Sequence, residues 1–211
     1  VHVVYGLSGN DPGFIGEFEI SLKSVLLNSP IHSDLTVHVM ADEKAVGALP
    51  GVFNRSQIST WHTRNHVIVQ VCNMQSKMPS WESHVELMTK TPMDVMSRHT
   101  VGNFFGLFVQ DVVHSSVNHA LIMDTDVAVM APLDGLWKHV DRNAIFQWGD
   151  RRCAGFITLN VPKLDHLWHL VSKLDLSTAS IEMDQNKNDQ LIFQVLNRNH
   201  PEIVAMLPKE W

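Results

Sequence analysis

Residues His119–Trp137 read HALIMDTDVAVMAPLDGLW, an apolar run broken by two aspartates one residue apart and then resumed. Residues two apart on a strand point to the same side, so the pattern predicts that Asp124 and Asp126 face one point where the strand ends. Two carboxylates that lose hydration there repel each other, and a divalent cation with hard oxygen ligands stabilises such a pair. A bare D-x-D is equally satisfied by one Asp capping the next turn while the other stays solvated. The surrounding segments decide between the two.

Upstream, VHVVY is a β-rich run that ends in the small, polar GLSGND, after which Phe14, Phe18, Leu22 and Val25 recur at helical spacing. Asp11-Pro12 suits the start of that helix, with Asp as cap and Pro in the first turn. DLTVHVMAD alternates as a strand does, and EKAVGALP reads as a short helix. Two β-like runs follow, around QIST and HVIVQV. Between Thr100 and Val117, Val101, Phe104, Phe105, Phe108 and Val112 share one helical face leading into ALIMDTD. Downstream, AIFQW and GFITLN read as strands, Pro162–Lys173 and Lys187–Asn197 as helices, and EIVAML as the last apolar run. Strands alternating with helices imply an α/β fold with an open, mostly parallel central sheet flanked by helices, where ligands bind at the carboxyl ends of strands.

With 211 residues, 45% hydrophobic and 18% charged, the chain has the composition and length of one globular domain. A formal charge of −6 with no clustered Lys and Arg argues against a nucleic-acid partner. No run approaches the roughly 20 apolar residues that a membrane span needs. Cys72 and Cys153 fit one disulfide or two free thiols, and free thiols are the expectation. Asn54-Arg55-Ser56 forms a glycosylation sequon, which has meaning only in a secretory setting. His166 and His169 lie three apart beside Asp165, but no Cys or His set completes four zinc ligands.

The D-T-D in its setting, the YGLSGNDPGF start, CAGFITLN and the NKNDQLIF segment with its terminal Leu-Pro-x-x-Trp together resemble glycosyltransferase family 8, whose members include glycogenin and the LARGE-type xylosyl- and glucuronyltransferases. The resemblance covers most of the chain. It implies the GT-A nucleotide-diphospho-sugar transferase fold and a metal-dependent, retaining transfer of sugar from a UDP-sugar donor to a glycan or glycoprotein acceptor. By the same resemblance, Asp124 and Asp126 hold manganese or magnesium. Leu7, Ser8, Asn10, Thr125, Cys153, Ala154 and Gly155 meet the donor, and Asp189 and Gln190 act near the anomeric carbon. It also implies a Golgi or secretory-lumen location, although the residues themselves are equally compatible with the cytoplasm.

Three features depart from the family pattern. Cys153 stands where the family has an Asn against the donor sugar. Val109 stands where it has a Lys or Arg facing the diphosphate. The family continues past the position of Trp211 to a His that completes the metal shell and a nearby basic residue. The expectation is therefore one glycosyltransferase domain over 1–211 that lacks its C-terminal segment. Two alternatives remain: a degenerate domain that binds nucleotide sugar or partners without transfer, and a haloacid-dehalogenase-like phosphatase, in which the first Asp of D-x-D is the nucleophile.

Overall fold

The computed structural model describes residues 1–29, 34–89, 101–149, 154–174, 176 and 189–209. Seven strands form one mixed sheet: β1 (His2–Leu7), β2 (Leu35–Ala41), β3 (Val67–Asn73), β4 (His119–Met123), β5 (Phe146–Trp148), β6 (Phe156–Asn160) and β7 (Val204–Met206). Their spatial order is β3-β2-β1-β4-β6-β5-β7. The pairs β1–β2, β1–β4, β2–β3 and β5–β7 are parallel, while β6 runs antiparallel to both neighbours, β4 and β5. The expected mostly parallel sheet is present, with β6 as its one reversed strand.

The central strand β1 is buried on both faces, as a parallel strand covered on each side must be. Its alternation assigns the two cores. Val3, Tyr5 and Leu7 face the helices α1 (Pro12–Leu27) and α2 (Glu43–Arg55), whereas Val4 faces the opposite layer with Ile122 and Phe104. Helix α1 starts where the sequence indicates: Asp11 Oδ1 accepts hydrogen bonds from Gly13 N at 2.9 Å and Phe14 N at 3.1 Å, and Pro12 takes the first turn. It buries Ile15, Phe18, Leu22, Val25 and Leu26, spaced by three and four residues.

Two expectations are corrected. The QIST run is not β-like but lies in helix α3 (Ile58–Asn65), set off by left-handed Gln57 (φ 53°) and His66 (φ 52°). The apolar stretch before β4 is not an α-helix but a 3₁₀ segment, Val101–Asp111, interrupted at Phe108 (φ −109°, ψ 22°). Tertiary burial explains why it persists. Phe104, Phe105 and Phe108 are buried, and Trp81 of α4 (Met78–Thr89) stacks on Phe108 with ring centroids 4.2 Å apart. Burying each such ring stabilises by roughly 1.5–3 kcal/mol, which outweighs the helical hydrogen bonds lost at the break.

Downstream of β4 lie α5 (Asp134–Trp137), α6 (Leu164–Val171) after a 3₁₀ turn at Val161–Lys163, and α7 (Asp189–Asn199). The apolar run Val127–Met130 forms no strand. Trp148 is fully buried in the core. Among the described residues, Cys72 is a free thiol, and no helix is long and apolar enough to cross a membrane.

Candidate active site

The polypeptide order reverses at β1, which pairs with β2 on one side and β4 on the other. Where neighbouring connections depart to opposite sides of a sheet, a crevice opens outside the carboxyl ends of the strands. Here that crevice is a cleft of about 530 Å³. β1 and the loop after it supply Gly6 and Ser8, the turn after β4 supplies Asp124, Thr125 and Asp126, the approach to β6 supplies Ala154, and the first turn of α7 supplies Asp189 and Gln190. Seven of the residues singled out from sequence thus line one cavity, though they come from four separate segments.

The aspartates do not sit on a strand. β4 ends at Met123, and Asp124–Asp126 form a turn that Val127 N closes onto Asp124 O at 3.3 Å. Both aspartates keep exposed surface where they open onto the cleft. The turn, not the alternation of a strand, brings the two carboxylates together. Asp124 N donates to Gly155 O at 2.9 Å, extending the β4–β6 ladder by one rung.

Remaining sequence-derived contacts are placed unevenly. Gly155 is buried beneath Asp124. Leu7 is fully buried in the core facing α1, and Asn10 is exposed on the loop without lining the cleft. Cys153 lies outside the described residues. Val109 is 0% exposed, so its position presents nothing to the cleft. Sequence reading missed Asp11, Phe14, Glu17 and Gly106, which also line the cavity. Asp11 had been assigned only its capping role, and the others carry no motif.

The site is electrostatically strained. Desolvation of the Asp124 carboxyl by the protein packed around it, and secondarily the neighbouring Asp126, push it up to about 6. Asp189 is pushed up to about 7, first by burial and then by Asp124. Hydrogen bonds from backbone amides, including Gln190 N at 2.8 Å, pull it back down, as does any position at a helix start. Burial prevails over them. Asp11, Glu17, Asp124, Asp126 and Asp189 line the cleft, whereas no Lys or Arg does so among the described residues.

Such a cleft repels a diphosphate unless a cation intervenes. Two mutually repelling carboxylates with hard oxygen atoms fit manganese or magnesium, which commonly use one or two carboxylates and complete their shell with water and phosphate oxygens. Among the described residues no three His, Cys, Asp or Glu side chains gather into a metal-holding group, His166 and His169 included. Asp124 and Asp126 are a pair of carboxylates that no third such side chain joins among the described residues.

No family model and no curated protein matches the sequence. Solved structures do. Apo mouse xyloside xylosyltransferase 1 superposes with a TM-score of 0.70 at 13% identity, over 99% of this chain and 86% of that one. The glycosyltransferase GlyE of Streptococcus pneumoniae gives 0.61 at 18% identity, over 99% of this chain and 46% of that one. The galactosyltransferase LgtC, in complex with donor and acceptor sugar analogs, gives 0.59 at 15% identity, over 98% and 73%. This is the GT-A glycosyltransferase fold. Within the GT-A sheet, the D-T-D turn of this chain occupies the carboxyl-end crevice where the fold's topology places a ligand. Ala154, just ahead of the reversed strand β6, lines the same cleft.

Proposed function

We propose that this domain is a metal-dependent, retaining glycosyltransferase of the family 8 type. It would take a UDP-sugar as donor and a glycan or glycoprotein as acceptor, in the Golgi or secretory lumen. The observation that carries the reading is the convergence of Asp124, Asp126, Asp189, Gln190 and Ser8 on one acidic cleft at the switch point of the sheet. Asp124 and Asp126 would hold the cation. Bound manganese or magnesium supplies the positive charge that a diphosphate leaving group requires.

The chain's own groups divide the remaining work. Asp189 and Gln190, at the start of α7, present oxygen atoms to the cleft, where they stabilise positive charge that develops at an anomeric carbon. Without a cation, burial and then Asp124 lift Asp189 to about 7, and a cation held by Asp124 and Asp126 would favour its ionised form. Ser8 and the loop around it hold the nucleotide end. Gly106 lets the 3₁₀ segment approach β4 closely, since a methyl group there would stand 3.1 Å from Ile122 Cδ1.

Calorimetric titration with UDP tests the reading: binding is expected with Mn²⁺ and not with chelator, and UDP should be released from at least one of a panel of UDP-sugars. Equal affinity with and without metal would reject it. The non-transferring alternative draws on the buried Val109 and on the lack of a described cation in the cleft. It is favoured if UDP binds with Mn²⁺ yet no donor is ever cleaved. Turnover of an aryl phosphate would point to the phosphatase instead.

A further inference from the structure

We propose that Asp42 is a positioning residue for the donor-binding loop, an inference that rests on reading the cleft as a donor site. Asp42 stands between β2 and α2 and is 8% exposed. Its two carboxylate oxygens have separate tasks. Oδ1 accepts from Ala45 N at 2.8 Å, which caps α2. Oδ2 faces the other way and accepts from Ser8 Oγ at 2.9 Å and Gly9 N at 2.7 Å. Asp42 N also donates to Leu7 O at 3.2 Å. The exits of β1 and β2 are thus stapled together immediately behind the wall of the cleft that Ser8 forms.

Local geometry shows what the staple holds. Gly9 lies in the left-handed region at φ +82°, a conformation with open space around it and so no packing to enforce it. Charge-assisted bonds to a carboxylate are stronger than neutral ones, and this one fixes the amide of Gly9 and the rotamer of Ser8 together. Ser8 has a single hydroxyl proton, and it is donated to Asp42 Oδ2. Toward the cleft Ser8 therefore offers lone pairs alone and must accept from a ligand O–H or N–H. Asp42 touches no cleft contents itself, because it does not line the cavity.

The two tasks can be separated by length. Serine caps a helix about as well as aspartate, but it is too short to reach Gly9 and Ser8 as well. Asp42→Ser should therefore keep α2 capped and release the loop. Three readouts are compared with wild type: UDP affinity at saturating Mn²⁺, affinity for Mn²⁺ alone, and hydrogen exchange of the Gly9 amide. The expected pattern is UDP binding about tenfold or more weaker, Mn²⁺ affinity within about twofold, and faster Gly9 exchange. Ser8→Ala, which keeps the Gly9 bond, should fall between the two proteins. UDP affinity unchanged in Asp42→Ser, with UDP binding wild type normally, overturns the proposal and leaves the donor site standing. Equal weakening of Mn²⁺ and UDP with a large loss of thermal stability overturns it too, since the role would then be general support. Failure of wild type to bind UDP removes the donor-site reading, and this inference with it.

Discussion

Gly155 lies so close to Asp124 that a methyl group on its Cα would stand 2.5 Å from Asp124 Oδ2 and 3.0 Å from its Cγ. No side chain fits without displacing the carboxylate. The same two residues are joined by the 2.9 Å bond from Asp124 N to Gly155 O, so the turn cannot simply move as a body. Gly155→Ala should rotate the Asp124 carboxylate away and weaken Mn²⁺ binding by tenfold or more, with a modest fall in melting temperature. Titration of Mn²⁺ followed by electron paramagnetic resonance measures it, and unaltered affinity would show that Asp124 is not a ligand.

Removing a carboxylate is a different perturbation from moving it. Asp124→Asn and Asp126→Asn each leave one carboxylate where two stood. Cleavage of a UDP-sugar at saturating Mn²⁺ should drop by about a hundredfold or more, the scale of losing a principal electrostatic contact in a transition state. Folding should survive, because neither carboxylate is bonded into the core. Circular dichroism and a coupled UDP-release assay report the two quantities, and full activity in either variant rejects the assignment.

Asp124 at about 6 and Asp189 at about 7 both sit above the ordinary carboxylate value of 3.8. The folded chain therefore holds protons that the unfolded chain has lost, and their contribution to stability is full below pH 4 and fades as pH rises toward 7. Histidines act in the opposite sense. Burial holds His38 down at about 4 and lowers His2 and His119, so their contribution fades as pH falls below 6.5. Comparing Asp189→Asn with wild type cancels the histidines. In metal-free buffer the variant should melt at nearly the wild-type temperature at pH 4 and a few degrees higher at pH 8. A difference that does not grow with pH would show that Asp189 is not crowded as described.

Much of this was legible in the sequence because local chemistry and global fold agree there. Asp11-Pro12 starts a helix, the apolar ALIM is the buried part of a strand, and Asp189-Gln190 opens α7. Errors fall where tertiary packing overrides local pattern. Phe105 and Phe108, three residues apart, share a face in a 3₁₀ segment as well as in an α-helix, so their spacing does not distinguish the two. The β-branched Ile58 and Thr60 were drawn into α3, whose ends rest on two left-handed residues that no composition signals. Leu7 was expected to meet a donor, and its side chain belongs to the core. Asp42 was invisible, since its bonds span more than 30 residues.

The chain leaving the D-T-D turn is fastened to α1 rather than to the sheet. Val129 is 6% exposed and belongs to no strand, so its backbone groups need partners from side chains. Ser24 Oγ accepts from Val129 N at 2.8 Å, and Asn28 Nδ2 donates to Val129 O at 2.9 Å and to Ser24 O at 3.0 Å. Asn28→Ala removes both amide hydrogens and leaves the Val129 carbonyl unpaired, a loss of about 1–3 kcal/mol. In a chain of this size each kcal/mol lowers the melting temperature by roughly 2–4 °C. Asn28→Asp should cost more, because a carboxylate oxygen would then face the carbonyl. Asp124 keeps its own tether through Gly155, so Mn²⁺ affinity should stay within about threefold in either variant. Scanning calorimetry and a Mn²⁺ titration check both halves, and a loss of metal binding in step with stability would mean that α1, not β6, holds the aspartates in place.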